Sequence, residues 1–252
     1  MNLGNGITLI HGDALTTLPL IEAGSVDAVV TDPPYGETSL KWDRWPRGWL
    51  KLCLSLLKPS GSLWCFGSMR MFLDEVAEFE GWRFVQDVVW EKQNGSGLHN
   101  DRFRRVHEHA CQFVPKAQVW ADMFKAPVTT PDATARTVRR KARPAHWGAI
   151  GNEHVFTSED GGPRLMRSVI AMRNMHGRAM HPTQKPEGIV EPLLRYSVPG
   201  GGLVLDPFAG SGTTLAVARS LGLRCIGIEA NTKYVEVATN RLRGTLALGG
   251  AA

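Results

Sequence analysis

The segment from residue 203 to residue 214, LVLDPFAGSGTT, carries the clearest fold signal in the chain. Its order predicts a buried strand, a tight glycine turn and the first turn of a helix. Gly210 and Gly212 permit positive φ angles and close approach of a ligand to the backbone. The N–H groups at the start of the helix, near Thr213, can bind an anion such as a carboxylate. No lysine follows the glycines, which disfavours a phosphate loop.

The strand that follows this segment ends at an acid. Residues 224–228 form the predicted strand, and Glu229 stands at its tip. A carboxylate in this position can accept hydrogen bonds from the two hydroxyls of a ribose. Combined with the glycine turn, Glu229 predicts a cofactor that contains adenosine. A nicotinamide dinucleotide would satisfy these two features as well, but nothing in the middle of the chain suggests a nicotinamide site.

Strands and helices alternate on both sides of this segment. The chain has 252 residues, a length that suits one large α/β domain with or without an insertion. Apolar runs and periodic stretches predict strands over residues 7–10, 26–31, 62–66, 84–90, 105–114, 202–205 and 224–228, and helices over residues 49–58, 69–80, 187–197, 213–221 and 232–242. This order predicts a doubly wound, mostly parallel sheet. Residues 116–175 show no sustained period, and residues 129–143 are expected to be partly mobile.

Positive charge is concentrated in the middle of the chain. The net charge is +5, yet residues 92–178 carry 15 Lys and Arg against seven Asp and Glu. A basic segment on a slightly acidic remainder is typical of a protein that binds a polyanion, although a solvated basic surface gives the same pattern. If the polyanion is a nucleic acid, the candidates for phosphate and base contacts are Arg104, Arg105, Arg139, Arg140, Lys141 and Arg143.

The four cysteines form no CxxC pair, and they predict free thiols in a reducing cytoplasm. The triplet His107-Glu108-His109 has the composition of a metal site. Residues on a short strand alternate between two faces, however, and three of them would not converge on one ion, so we expect no metal. The first residues lack the basic start and apolar core of a signal peptide, and no apolar run is long enough to span a membrane.

A second motif, Asp32-Pro33-Pro34-Tyr35, follows the continuous apolar run Val26–Thr31. Asp32 therefore lies at the carboxyl end of a predicted buried strand, where open α/β sheets bind their ligands. The prolines hold the backbone rigidly. The Asp32 carboxylate and the Pro33 carbonyl are neighbouring acceptors for the two hydrogens of an amino group, and Tyr35 offers a face for stacking a planar base. A rigid turn with a capping aspartate and a surface tyrosine would fit the same four residues.

The order of these motifs resembles that of the β-class amino-methylating DNA methyltransferases. In that family a [DNS]PP[YFW] loop comes first, followed by a target-recognition region, an HPTQKP-like segment and an FxGxG loop. Here residues 32–35, the basic middle, residues 181–186 (HPTQKP) and residues 208–212 (FAGSG) follow the same order. The resemblance covers nearly the whole chain and implies a circularly permuted Rossmann-like fold. It divides the chain into a catalytic half over residues 1–115, a target-recognition insertion over residues 116–178 and a cofactor-binding half over residues 179–252.

The resemblance also implies roles for individual residues. Asp32 and Pro33, in the loop completed by Pro34 and Tyr35, would hold the target amino group, and Tyr35 would stack on the base. The S-adenosylmethionine site would comprise Asp13, Ala14, Asp32, Thr183, Lys185, Asp206, Phe208, Ala209, Gly210, Ser211, Gly212, Thr213 and Glu229. A base inside a duplex cannot reach the cofactor, so the target would be flipped out and methylated directly. The resemblance further implies a homodimer that acts on double-stranded DNA. It also implies a cytoplasmic protein that is encoded by a bacterium or a phage.

Adenine N6 is the favoured acceptor, because the resemblance links an aspartate-led tetrapeptide to adenine and a serine-led one to cytosine N4. Cytosine N4 stays open, since both amines need the same two acceptors. An RNA or protein-glutamine methyltransferase is less favoured, because those relatives prefer NPPY and place the cofactor loop first. An inactive DNA-binding module would not need an intact Asp32. A carbon-5 cytosine methyltransferase would use a cysteine after a proline, and no cysteine here follows one.

Overall fold

The computed structural model describes residues 1–96, 100–140, 154–175 and 184–248. The strands are β1 (Ile7–His11), β2 (Val26–Thr31), β3 (Leu57–Gly67), β4 (Trp82–Ser96), β5 (Arg105–Pro115), β6 (Thr129–Thr130), β7 (Arg136–Arg140), β8 (His154–Ser158), β9 (Arg164–Leu165), β10 (Val169–Ala171), β11 (Leu203–Asp206) and β12 (Arg224–Glu229). The helices are α1 (Ala14–Thr17), α2 (Trp49–Leu56), α3 (Met69–Asp74), α4 (Glu187–Ser197), α5 (Thr213–Ser220) and α6 (Thr232–Leu248). The strands and helices fall into two compact units. One unit is formed by Met1–Ala126 with Ser168–Ala252, and the other is formed by Pro127–Arg167.

The larger unit is built on one sheet with the strand order β1-β12-β11-β2-β3-β5-β4-β10. Neighbouring strands are parallel except where β5 pairs with β3 and β4. The prediction of a mostly parallel sheet is confirmed. The central neighbours β11 and β2 come from opposite ends of the chain, with Val204 beside Ala28 and Leu205 beside Val29. This pairing is what the predicted circular permutation requires.

The sheet is covered on both faces by apolar packing. All six residues of β2 are buried, as expected for a parallel strand between two helical layers. Because side chains alternate along a strand, Val30 packs in the core that contains α4, α5 and α6, whereas Val29 packs in the core that contains α2. Trp49 of α2 is fully buried in that second core. This two-sided burial fixes the register of the central strands and thereby the positions of the loops that follow them.

Several element boundaries differ from the predictions. The helix predicted over residues 69–80 ends at Asp74 and is followed by a 3-10 turn at Val76–Phe79. The 3-10 turn is accompanied by a long-range hydrogen bond, in which the carboxylate of Glu78 accepts the N–H of Gly48 at 2.7 Å. The helix predicted to reach residue 58 ends earlier, since β3 already begins at Leu57.

The smaller unit has short antiparallel pairs. Strands β6 and β9 form one pair, and β7 and β8 form the other. Residues 116–175, which are predicted to lack a regular period, therefore contain β6 to β10. These strands have two to five residues, too few for a period to stand out in the sequence. The predicted boundaries of the insertion, 116 and 178, are wider than this compact unit and stay a prediction.

Across the described ranges, no helix has both the length and the apolar character needed to cross a membrane.

Candidate active site

A cleft of about 1080 Å³ opens in the larger unit where β1, β2, β11 and β12 end. Parallel strands deliver the loops at their carboxyl ends to one edge of the sheet, where such folds bind ligands. The predicted site residues that line the cleft are Asp13, Ala14, Asp32, Pro33, Pro34, Tyr35, Lys185, Asp206, Phe208, Ala209, Gly210, Ser211, Thr213 and Glu229. Gly212 caps the helix behind the cleft, and Thr183 lies outside the described residues. The predicted catalytic and cofactor loops therefore line the same cleft, although 170 residues of sequence separate them.

Asp32 directly follows β2, and both of its carboxylate oxygens accept hydrogen bonds. Oδ1 accepts the hydroxyl of Tyr35, and Oδ2 accepts Nζ of Lys185 at 2.6 Å. Burial raises the pKa of the Asp32 carboxyl, and the Lys185 ammonium opposes that rise. Burial and the nearby Asp32 raise the pKa of the Tyr35 hydroxyl, so it remains a donor. The loop thus presents a carboxylate that already binds an N–H donor.

Lys185 is almost completely buried between two carboxylates. Its Nζ lies 2.6 Å from Oδ2 of Asp32 and 3.2 Å from Oε2 of Glu108. Burial would lower the pKa of Lys185, but the two carboxylates outweigh burial and raise it. The ammonium contacts Asp32 in the Asp-Pro-Pro-Tyr loop, in addition to the role that the resemblance implies for this residue. Contact with a cofactor remains a prediction for this residue.

Glu108 also faces the cleft, although its sequence pattern suggests only the composition of a metal triplet. Despite burial, the ammonium groups of Lys185 and Lys92 lower the pKa of Glu108 to about 2. Glu108 lines the cleft, whereas His109 hydrogen-bonds to Asp87. The strand alternation that argues against a metal also places Glu108 on the face opposite the two histidines. That alternation was the signal from which its cleft position could have been predicted.

Asp206 links the cofactor loop to the catalytic strand. Its Oδ1 accepts the hydroxyl of Thr31 at 2.7 Å and the N–H of Phe208 at 3.2 Å. Burial raises the pKa of Asp206 to about 6, although the hydroxyls of Thr31 and Thr214 oppose the rise. Asp206 can therefore change its charge near neutral pH. Thr31 was not among the predicted site residues, because nothing local in β2 distinguishes it from a buried core threonine.

The glycine turn adopts the backbone that the sequence predicts. Gly210 and Gly212 have φ values of +52° and +76°. The N–H of Gly210 donates to Oε2 of Glu229 at 2.8 Å, and the N–H of Asn231 donates to Oε1 at 2.7 Å. Burial raises the pKa of Glu229. Each carboxylate oxygen has two acceptor positions, so Glu229 can bind further donors from the cleft.

Asp13 has a structural contact in addition to its predicted role. Its Oδ1 accepts the N–H groups of Leu15 at 2.9 Å and Thr16 at 3.3 Å, so Asp13 caps α1. Asp13 and Ala14 still line the cleft beside β1. Their predicted contact with a cofactor adenine stays a prediction.

The loop after Tyr35 is held by a buried carboxylate. Asp43 accepts the N–H of Gly36 at 2.9 Å and the N–H of Thr38 at 2.7 Å. Burial opposes ionisation, but these hydrogen bonds outweigh it and lower the pKa of Asp43. Sequence reasoning missed Asp43, since a loop aspartate gives no sign of which backbone groups it binds. Its effect is to fix the mouth of the cleft beside the catalytic loop.

The predicted DNA contacts divide between the two units. Arg104 and Arg105 line the cleft, and Arg105 forms an ion pair of 3.1 Å with Glu37. Arg139 and Arg140 lie on β7 of the smaller unit. Lys141 and Arg143 lie outside the described residues. The assignment of all six side chains to DNA stays a prediction.

The cysteines take no part in the cleft. All four are buried free thiols, and burial raises the pKa of each one. In the part of the chain that the structure describes, no group of three or more His, Cys, Asp or Glu side chains could hold a metal ion.

The chain resembles known proteins over most of its length. Residues 26–240 match the N6 and N4 methyltransferase family described as DNA methylase. Type II methyltransferase M.HinfI of Haemophilus influenzae is 28% identical over 94% of this chain and 68% of its own length. Type II methyltransferase M2.DpnII of Streptococcus pneumoniae is 28% identical over 94% of this chain and 90% of its own length.

Solved structures share the fold. The complex of M1.HpyAVI with SAM has a TM-score of 0.63 and 24% identity, over 94% of this chain and 98% of that chain. The cytosine-N4-specific PvuII DNA methyltransferase has a TM-score of 0.62 and 17% identity, over 94% of this chain and 86% of that chain. Because the family match spans well over half of the sequence, this protein belongs to the DNA methylase family of N6 and N4 methyltransferases.

Proposed function

We propose that this protein transfers a methyl group from S-adenosylmethionine to N6 of an adenine that is flipped out of double-stranded DNA. The observation that carries the proposal is the hydrogen bond between Thr31 and Asp206. Asp32, the next residue after Thr31, and the glycine turn after Asp206 line the same cleft, which supports the proposal. The proposed amino-group acceptor and the proposed cofactor site are thus parts of one cleft, as direct transfer requires.

The residues present fit the chemistry of S-adenosylmethionine. Glu229 retains acceptor positions for ribose hydroxyls at the end of β12. The first-turn N–H groups of α5 have no acceptor within the helix and can bind a carboxylate. Asp206 offers negative charge for a cationic ligand. When bound, the cofactor would supply an electrophilic methyl group on a positively charged sulfur.

The protein's own residues would orient the acceptor. The Asp32 carboxylate and the Pro33 carbonyl would accept the two hydrogens of the amino group and aim the nitrogen lone pair. The Tyr35 ring, held through its hydroxyl by Asp32, would stack on the base. Positioning of this kind supplies most of the rate acceleration in a direct transfer. The attacking nitrogen would form its bond to carbon as the carbon–sulfur bond breaks, and one amino proton would leave afterwards to a nearby base or to water.

The test is to incubate the purified protein with unmethylated genomic DNA and S-adenosylmethionine labelled in its methyl group. We expect labelled N6-methyladenine after digestion to nucleosides, and sequencing with modified-base detection should locate it within one short recognition sequence. Labelled N4-methylcytosine would contradict the adenine assignment and support the second candidate. The relative of known structure that is cytosine-N4-specific motivates that candidate. No labelled nucleoside at all would contradict the proposal.

We also propose that the protein is a homodimer. On the larger unit, Met69, Leu73, Val76 and Phe84 are each at least half exposed although they are large and apolar. Met69, Val76 and Phe84 line one shallow groove. Apolar patches of this kind mark protein interfaces. Light scattering should give the mass of two chains, and Val76→Lys should reduce it to one; a single-chain mass for the unaltered protein would contradict the dimer.

A further inference from the structure

Four charged side chains of alternating sign form a row that ends at the catalytic loop. Lys92 pairs with Oε1 of Glu108, whose Oε2 lies 3.2 Å from Nζ of Lys185. The same Nζ lies 2.6 Å from Oδ2 of Asp32. The exposed fractions of the Lys185, Lys92 and Glu108 side chains are only 6%, 10% and 13%. Water therefore screens these charges weakly, and each depends on its neighbours.

Lys185 occupies an acceptor that the proposed reaction needs. Tyr35 donates to Oδ1 of Asp32 and Lys185 donates to Oδ2. A target amino group would also have to donate to the Asp32 carboxylate. Because each carboxylate oxygen has two acceptor positions, the amino group would share Oδ2 with the Lys185 ammonium, and withdrawal of the ammonium would leave the charge of that oxygen to the amino hydrogen alone.

Glu108 provides the alternative acceptor. Its Oε2 is buried, lies within ion-pair distance of Lys185, and makes no hydrogen bond of good geometry among the described residues. An ammonium has three N–H donors, so a small movement of Nζ toward Oε2 would keep the charge paired. A buried cation without a partner would be costly. Lys92 holds Oε1 and so keeps the Glu108 carboxylate in place.

We propose that Glu108 is a positioning residue for methyl transfer, which draws the Lys185 ammonium away from Asp32 when the target base enters and thereby frees Oδ2 for the amino group. Until then, Lys185 satisfies the Asp32 carboxylate. The exchange involves hydrogen bonds and ion pairs alone and transfers no proton or electron. The inference rests on the proposed function, since it assigns Glu108 to the same amino-group site.

The first test is Glu108→Gln, which keeps the shape of the side chain and removes its charge. We expect the single-turnover rate of methyl transfer to fall by about 100-fold, the usual scale for a misplaced reacting group. Binding of S-adenosylmethionine, measured by calorimetry, should stay close to that of the unaltered protein. Glu108→Asp, which restores the charge on a shorter side chain, should recover part of the rate. A rate for Glu108→Gln equal to the unaltered rate would overturn the inference.

A double-mutant cycle separates this role from a merely structural one. If Glu108 acts only by drawing the Lys185 ammonium away from Asp32, its charge should not affect the rate of methyl transfer once Lys185 is replaced by Met. Glu108→Gln should then change the rate by no more than about twofold, which is the usual uncertainty of such comparisons. An equal loss in both backgrounds would overturn the inference. Asp87→Asn is the matched control, since Asp87 pairs with His109 on the same two strands and does not line the cleft.

The pH profile gives a further readout. The groups that act most strongly on Asp32 are Lys185, Glu108 and Tyr35, and Asp206 of β11 and Cys65 of β3 also interact with its charge. Among these groups, Glu108 raises the pKa of Asp32. Glu108→Gln should therefore move the acidic limb of the rate profile to lower pH, which a loss of packing alone would not do. An unmoved limb would contradict the proposed role. If the unaltered protein methylates DNA and Glu108→Gln equals it, the inference alone fails; if the unaltered protein transfers no methyl group, the proposed function fails first.

Discussion

The hydroxyl of Thr31 donates a hydrogen bond of 2.7 Å to Oδ1 of Asp206, a residue 175 positions later in the chain. This bond joins the last residue of β2 to the last residue of β11. It connects the strand that carries the proposed amino-group acceptor to the strand that carries the proposed cofactor loop. It also stabilises the ionised form of Asp206, whose pKa burial raises to about 6.

The pKa of Asp206 predicts that cofactor binding depends on pH. Below about pH 6 the carboxyl becomes protonated and loses the negative charge that favours a cationic ligand. The dissociation constant for S-adenosylmethionine should then rise by about tenfold for each pH unit. The folding stability of the protein without ligand should change with pH in the opposite direction. Because the pKa of Asp206 is raised in the folded protein, this carboxyl stabilises the fold most below about pH 4, and the contribution is lost as the pH rises toward 6. Calorimetric titrations from acidic to neutral pH measure the first effect, and a flat curve would contradict it.

Thr31→Val should move that pH dependence upward. The variant removes a hydrogen bond that favours the ionised carboxylate, which is worth about 1.5–3 kcal/mol for a charged group, so the midpoint should rise by about 1–2 pH units. Thr239→Val is the control, because Thr239 is also buried but its hydroxyl finds no hydrogen-bond partner within the described ranges. A midpoint shared by Thr31→Val and the unaltered protein would show that this bond does not set the charge of Asp206.

Asp32→Ala should abolish methyl transfer and leave cofactor binding largely intact. The loss of the acceptor should lower the rate by about 1000-fold, as for the removal of one preorganised transition-state contact. Glu108 can still neutralise Lys185 in this variant, since it lies 3.2 Å from Nζ. Methyl incorporation and calorimetry measure the two properties, with Asp87→Ala as a carboxylate control outside the cleft. Incorporation near the unaltered level would refute the role of Asp32.

Gly212→Ala should destabilise the protein more than Gly222→Ala. Both glycines have positive φ, +76° and +67°, so each alanine should lose about 1 kcal/mol to backbone strain. At residue 212 the added Cβ would also lie 3.2 Å from Cβ of Ala238, whereas nothing lies within 4 Å at residue 222. The additional crowding should cost about 1 kcal/mol. Urea denaturation measures both values, and equal losses would show that α6 moves freely to accommodate the methyl group.

Arg104→Ala should weaken DNA binding in a manner that depends on salt. Arg104 is exposed at the lining of the cleft. If it contacts a phosphate, its removal should reduce the slope of log affinity against log salt by about 1 and affect different DNA sequences alike. Fluorescence anisotropy over a range of salt concentrations measures the slope. Arg195→Ala is the control, because Arg195 pairs with Glu191 on α4 and is not a cleft residue; identical slopes for the two variants would contradict a phosphate contact.

Local sequence signals predicted most elements of the larger unit and, together with the family resemblance, the main loops that line the cleft. Apolar runs such as Val26–Thr31 identify buried strands, and glycine or proline marks the loops that follow them. The same signals failed for the 3-10 turn at Val76–Phe79 and for the strands of the smaller unit. Those elements are too short to show a hydrophobic period in the sequence. The 3-10 turn is also accompanied by the contact between Glu78 and Gly48, which are 30 positions apart.

By itself, the sequence determined which loops line the cleft, because strand burial, fixed proline angles and positive glycine φ are properties of a few neighbouring residues. The tertiary structure decided which side chains meet. Thr31 with Asp206 and Glu108 with Lys185 are pairs from distant parts of the chain. Their contact depends on strand order and register, which are set by burial on both faces of the sheet. No local pattern encodes that register, so these partners, and the charges they impose on the site, emerge only in the folded protein.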